Sequence, residues 1–308
     1  MKILVTGCAG FIGSHLCERL LQDNHNIIGI DNLNNYYDVN LKNKNLDILY
    51  KYKTFSFYKK EVCDIKMIDY TPDKVVHLAS MAGVRYSINN PKLYIKSNIE
   101  GFVNILDECQ KNNIKDIVYA SSSSVYGLNM KIPFSEDDVI NSCNSPYAAS
   151  KLSMEIYAKT YSQLYNLSCI GLRFFTVYGP RGRPDMAPYK FLKAISSNIE
   201  FQKYGDGSTF RDYTYIDDII DGILASIHNR KNMKCEIYNL GNNKPVSLND
   251  FITICERVTG KTAIFRQIEN QKGDVPYTCA NIEKAKRDLN YNPQISLLDG
   301  LKLTFNYL

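Results

Sequence analysis

Eight residues near the start of the 308-residue chain, Thr6-Gly-Cys-Ala-Gly-Phe-Ile-Gly13, constrain its fold more than any other stretch. They follow an apolar β-branched run, Lys2 to Thr6, and open an amphipathic segment, Ile12 to Gln22, so a strand must turn sharply into a helix. Gly7 permits the turn, Gly10 lets backbone approach a pyrophosphate, and Gly13 allows helix and strand to pack closely. The helix N-terminus, at Phe11 and Ile12, adds N–H donors and partial positive charge. A glycine-rich turn without a ligand would use the same three residues. Asp31 tips the balance: it closes the second β-branched run, where a carboxylate accepts from an adenosine ribose and repels a 2′-phosphate, which points to NAD rather than NADP.

The same rhythm continues for 175 residues. Strands are expected at Lys2 to Thr6, Asn26 to Ile30, Phe55 to Lys59, Lys74 to Leu78, Asp116 to Ala120 and Ser168 to Arg173, and helices at Ile12 to Gln22, Pro91 to Asn112 and Ser145 to Tyr165. This predicts an α/β fold, a doubly wound parallel sheet of Rossmann type. After Phe175 the pattern breaks into Gly/Pro-rich stretches around one helical segment, Ala187 to Ser197. The helix expected at Tyr215 to His228 and the strand at Glu236 to Leu240 then lead back to the large sheet. The division that follows is 1–175 and 214–241 for the dinucleotide, with 176–213 and 242–308 as a second, smaller α+β substrate domain. Along the first part, Asn32 beside Asp31, Asp64 and Ile65 after the third strand, and Ala79 after the fourth join the candidate cofactor residues. Asp64 either accepts from the adenine amino group or caps the next segment. Asn98, inside an apolar helix, needs partners and either reaches the cofactor or satisfies a neighbouring loop.

Composition removes other classes of function. Hydrophobic residues make up 44% of the chain, which argues against extensive disorder, and the net charge of +5 comes from basic residues spread along the sequence without a stripe, so no nucleic-acid partner is expected. Nine cysteines without a CxxC pair argue against a disulfide framework or zinc ribbon and suggest a reducing compartment, with no metal. No apolar run approaches the roughly 20 residues of a membrane span, and no charged leader opens the chain. A cytoplasmic, membrane-free protein is the expectation.

Tyr147 and Lys151 lie four apart at the start of a helix and so share a face. They follow a serine run, Ser121 to Ser124, that leaves the C-terminal end of a predicted strand, where α/β sheets place ligands. A phenol ionises near 10 when unperturbed. An adjacent ammonium and a positive nicotinamide ring would both favour phenolate, and a shift of about 3 units would be worth about 4 kcal/mol. Such a group can take a proton from a sugar hydroxyl while hydride leaves the same carbon.

With these elements in order, the chain resembles the extended short-chain dehydrogenase/reductase superfamily. Four further segments are similar to those of the UDP-glucuronate 4-epimerases: His77 to Ser87, Arg173 to Ala187, Arg211 to Asp218 and Lys272 to Pro276, together with the loop Asp31 to Asp38. The resemblance runs end to end and implies NAD as cofactor, a UDP-sugar substrate and a homodimer. It also implies Ser122 as the hydroxyl on sugar oxygen 4, Tyr147 as base and acid, and Lys151 as the group that tunes Tyr147 and holds the nicotinamide ribose. Arg211 would bind the diphosphate, and Asp274, Arg183 and the backbone near Tyr204 the uridine. Galactose 4-epimerases commonly carry an arginine where this chain has Gln271, which places more weight on Arg211.

Related enzymes that dehydrate or decarboxylate the 4-keto sugar carry an acidic side chain one or two residues from the catalytic hydroxyl. Here those positions are Ser123 and Ser124. With Thr176, they can donate to a substrate carboxylate and hold a β-keto acid out of alignment for loss of carbon dioxide. Arg85 competes for that carboxylate. Two other readings stand beside this one: a UDP-glucose/UDP-galactose 4-epimerase, and a binder that keeps the fold without turnover.

Overall fold

Side chains alternate across a strand, and the apolar runs of this chain use both faces. The computed structural model describes residues 1–228, 235–269 and 275–308. Its strands are β1 (Lys2–Thr6), β2 (Asn26–Asp31), β3 (Phe55–Lys59), β4 (Lys74–His77), β5 (Asp116–Ser122), β6 (Ser168–Phe174), β7 (Thr176–Tyr178), β8 (Phe201–Tyr204), β9 (Phe210–Tyr215), β10 (Cys235–Leu240), β11 (Pro245–Ser247) and β12 (Phe265–Ile268). Its α-helices are α1 (Phe11–Gln22), α2 (Val39–Leu49), α3 (Val84–Asn89), α4 (Pro91–Tyr94), α5 (Gly101–Lys111), α6 (Pro146–Tyr165), α7 (Ala187–Ser196), α8 (Ile216–His228), α9 (Leu248–Thr259), α10 (Glu283–Leu289) and α11 (Leu297–Tyr307).

Seven strands form one parallel sheet in the order β3-β2-β1-β4-β5-β6-β10. Ile3, Val5, Val76, Val118 and Leu172 face one core together with Leu16 and Leu20 of α1. Leu4, Val75, Ile117 and Tyr119 face the other, against Phe102 and Ile105 of α5 and Met154 of α6. Covering both faces is what a parallel sheet requires. From β1 the order departs in two directions, to β2 and to β4, which opens a crevice at their C-terminal ends.

Helix α6 starts where its sequence says it should: Ser145 accepts from the Ala148 N–H at 3.1 Å, and Pro146 occupies the first turn. The return to the large sheet also occurs, with β10 pairing in parallel to β6. The helix expected as one run from Pro91 to Asn112 is instead α4, a π-helical turn (Ile95–Glu100) and α5. The chain after Phe175 holds two small sheets, β11-β9-β7 and β12-β8, packed with α7, α9 and α11. No helix among the described residues is long and apolar enough to cross a membrane.

Candidate active site

One cavity of about 660 Å³ runs from the glycine turn, past the C-terminal ends of β4 and β5, to Arg211 on β9. At the first end, Gly7 has φ +73°, a left-handed conformation that favours glycine. A Cβ on Gly13 would lie 2.0 Å from the Gly7 carbonyl oxygen, so α1 sits directly on the turn. Gly10 caps α1 without a side-chain acceptor, which leaves first-turn N–H groups for a ligand at the cavity wall formed by Gly10, Phe11, Ile12 and Gly13. These features fit a dinucleotide pyrophosphate.

Asp31 closes β2 and lines the same cavity. Its carboxylate accepts from the N–H groups of Ala9 (3.3 Å) and Leu33 (2.8 Å) and lies 3.7 Å from the Lys42 ammonium. Asn32 and Ala79 also face the cavity, Asn32 donating to Glu61 at 3.1 Å and the Ala79 N–H to Thr6 at 3.1 Å. Asp64, Ile65 and Asn98 are not part of the cavity wall. The wall after β3 is Lys60, Glu61, Val62 and Cys63, so Asp64 falls just beyond it, and Ile65 packs into the core. Asp64 caps no helix start either. Asn98 is fully buried in the π turn and serves the neighbouring loop: it accepts from the Met81 N–H (2.7 Å) and donates to the Met81 carbonyl (3.0 Å) and to Ser150 (2.9 Å).

The middle of the cavity holds Ser122, Ser123, Ser124, Tyr147, Lys151 and Thr176. Tyr147 and Ser122 line the cavity together, and the Ser122 hydroxyl donates to Ser124 at 3.1 Å. Burial holds the Tyr147 phenol above its ordinary range, while the Ser122 hydroxyl and the Arg183 guanidinium pull it down. The Lys151 ammonium, one turn along α6 from Tyr147, donates to the Ala120 carbonyl at 2.7 Å and to Ser80 at 3.1 Å. Burial lowers it to about 7, against the opposing charge of Glu155 one turn along α6. Ser122 also accepts from the Ser124 N–H at 3.1 Å, which shapes the serine run into a tight turn.

Arg183 is at this middle region and not apart from it. Asp185 takes its guanidinium bidentately (3.0 and 2.5 Å), and Tyr36, whose hydroxyl donates to Asp185 at 3.1 Å, lies under it at 5.4 Å. Arg85 is exposed and outside the cavity wall; its guanidinium stacks on the Tyr204 ring at 4.8 Å, so these two candidates meet each other. Arg211 lines the far end with Val275 and Thr278. Asp274 and Gln271 lie outside the described residues. Sequence reasoning missed Ser80, Lys42, Tyr36, Asp185 and Glu155. Only Glu155 carried a readable signal, its spacing of four from Lys151.

Residues 3–241 match the model of the NAD dependent epimerase/dehydratase family. Protein CapI of Staphylococcus aureus is 46% identical, over 98% of this chain and 96% of its own length. The UDP-glucuronate 4-epimerase of Thermodesulfobacterium geofontis is 44% identical over 99% and 95%. Among solved structures, UDP-glucuronic acid 4-epimerase from Bacillus cereus with UDP-glucuronic acid and NAD superposes with a TM-score of 0.95 at 37% identity, covering 100% of this chain and 98% of that one. A tyrosine-to-phenylalanine mutant of that enzyme, with UDP-4-deoxy-4-fluoro-glucuronic acid and NAD, gives 0.96 at 36% identity over the same shares.

Proposed function

The chain belongs to the NAD dependent epimerase/dehydratase family, and we propose that within it the protein interconverts UDP-glucuronate and UDP-galacturonate through a transient 4-keto sugar. The observation that carries this reading is one continuous cavity in which Ser122, Tyr147 and Lys151 stand between the glycine turn and Arg211. Bound NAD supplies the hydride acceptor at carbon 4 and returns the hydride to the opposite face of the sugar.

Tyr147 removes the proton from the carbon-4 hydroxyl and later gives it back, with Ser122 holding oxygen 4. An ammonium has three donors, and Lys151 spends two on Ala120 and Ser80, so the third is left for the nicotinamide ribose. Each Asp31 carboxylate oxygen keeps a lone pair for the adenosine ribose after its backbone hydrogen bonds. Ser123, Ser124 and Thr176 supply hydroxyls for the substrate carboxylate; with serines at 123 and 124, no acid stands there to abstract the carbon-5 proton. Arg211 serves the diphosphate. The cofactor is assigned to 1–175 and 214–241, and the nucleotide sugar to 176–213 and 242–308.

Incubation with UDP-glucuronate and, separately, UDP-glucose, followed by NMR, tests the reading. UDP-galacturonate is the expected product, without pentose. Faster turnover of UDP-glucose would make this a neutral-sugar epimerase, and no conversion of either would leave a binder.

A homodimer is part of the proposal. On α6, Ile156, Tyr157 and Leu164 are exposed, and Leu93 and Ile95 are exposed on the neighbouring α4 and π turn. A two-fold contact would cover them. Light scattering should give twice 35.2 kDa, and Ile156→Glu with Leu164→Glu a monomer; a monomeric parent at micromolar concentration refutes it. A cytoplasmic location is supported by nine free cysteines, and cell fractionation checks it.

A further inference from the structure

Behind the tyrosine, three consecutive residues at the end of β5 each act on one side chain of α6. The Ala120 carbonyl accepts from Lys151 at 2.7 Å, the Ser121 hydroxyl donates to Glu155 at 2.5 Å, and the Ser122 hydroxyl acts on the Tyr147 phenol. Residues 147, 151 and 155 are successive turns of one helix face. Two members of this ladder have roles in the reaction proposed above; Glu155 has none.

Glu155 is buried. Arg173 of β6 takes it bidentately, at 2.9 and 2.7 Å. The Arg173 guanidinium lies 4.7 Å over the Tyr126 ring, whose hydroxyl donates to Asn239 of β10 at 2.7 Å. A buried ion pair of this kind costs desolvation that hydrophobic packing would avoid. The geometry supplies the reason to keep it, because the next buried cation, Lys151, sits one turn away with a carbonyl and a hydroxyl as its bonded partners.

We propose that Glu155 is a positioning residue for the reaction, the counter-ion that keeps the Lys151 ammonium charged in a place where solvent cannot. The other groups around Lys151 do not replace it. His77, on β4, is held neutral by burial, and Arg173 on β6 is itself a cation. Burial first, and the Glu155 charge after it, push Tyr119 on β5, Cys143 before α6 and Cys235 on β10 toward their protonated forms. Tyr147 on α6 is pushed toward the neutral phenol by burial alone, and faces Arg183 and Tyr94. Burial brings Lys151 to about 7, with Glu155 as the opposing influence, so loss of the carboxylate carries the lysine to its neutral form at working pH.

The test is the pH titration of the Lys151 ε-carbon by NMR in the NAD-loaded full-length protein, assigned by comparison with Lys151→Met. In Glu155→Gln the midpoint should fall by about one unit or more, and the charged fraction at a pH above the midpoint by about tenfold. The alkaline limb of kcat should move down with it. Arg173→Met removes a competing cation while keeping Glu155, so the midpoint should rise; this variant decides the matter if Glu155→Gln does not fold. Unmoved midpoints, or an activity loss equal at every pH, would make Glu155 a structural brace and overturn the proposal. The titration does not require that UDP-glucuronate be the substrate, so failure of that reading shows separately, as absence of turnover in the parent protein.

Discussion

Tyr147 cannot act as a base until its proton leaves, and burial makes that harder, while the Ser122 hydroxyl and the Arg183 charge make it easier. Activity should therefore rise with pH along an acid limb set by the phenol. Arg183→Met removes a lowering influence and frees the Asp185 carboxylate beside it, and both changes raise the phenol. The limb should move to higher pH, at a cost of about tenfold in kcat on its acid side per unit moved. Profiles of kcat at saturating substrate check this; a limb that stays in place separates Arg183 from the tyrosine's electrostatics. At this scale the sequence was legible for side chains that repeat at helical spacing, such as Tyr147 and Lys151. It was silent on what Lys151 would touch, because a backbone carbonyl has no residue identity and Ser80 is 71 positions distant. Asn98 was legible only as a buried amide in need of partners, and those partners belong to a loop that only the fold brings near.

The glycines of the first turn act as an element, and two of them do different work. Gly10 has φ −75°, open to any residue, and an added Cβ would meet only the Gly7 oxygen at 3.2 Å. Gly10→Ala should keep the fold and weaken NAD binding tenfold or more, by about 1.4 kcal/mol. Gly13→Ala drives a Cβ into backbone at 2.0 Å, so it should cost about 3 kcal/mol of stability or more, besides NAD. Thermal melts and NAD titrations of the two variants separate these outcomes; equal melting losses would mean that Gly10 is also a packing residue. Elements buried on both faces were the ones readable in advance, since β1, β4, β5 and β6 are continuous apolar runs between polar turns. The strands β8 and β12 were not: they are short, and the residues of β12 are largely exposed, so neither alternation nor an apolar run marks them. The π turn was hidden for another reason, since one extra residue per turn leaves the apolar pattern of Pro91 to Asn112 nearly helical.

Acidification acts on the molecule as a whole, through two buried histidines that join distant parts of it. His77 ends β4, hydrogen-bonds Thr6 of β1 at 2.9 Å and stacks on Phe102 of α5. His15 of α1 hydrogen-bonds the Phe11 carbonyl at 3.3 Å and feels the charge of Arg181, which pairs with Glu18 at 2.7 Å. Burial lowers His77 to about 3 and His15 to about 2, from 6.5. Between those values the unfolded chain binds protons that the folded chain refuses. Stability is thus full above about 6.5 and falls as pH drops toward the folded values, by about 2 kcal/mol per histidine at pH 5. Buried carboxylates held high, such as Asp212 and Asp218, work in the opposite direction, so the parent protein alone does not isolate the histidines. A pairwise comparison does. His77→Asn keeps a polar partner for Thr6 but binds no proton when unfolded. Denaturant unfolding at pH 7 and pH 5 should show it losing about 2 kcal/mol less than the parent over that interval. An equal loss would mean that His77 is protonated in the folded protein, and that the charge of Lys151 nearby does not act on it as the structure implies.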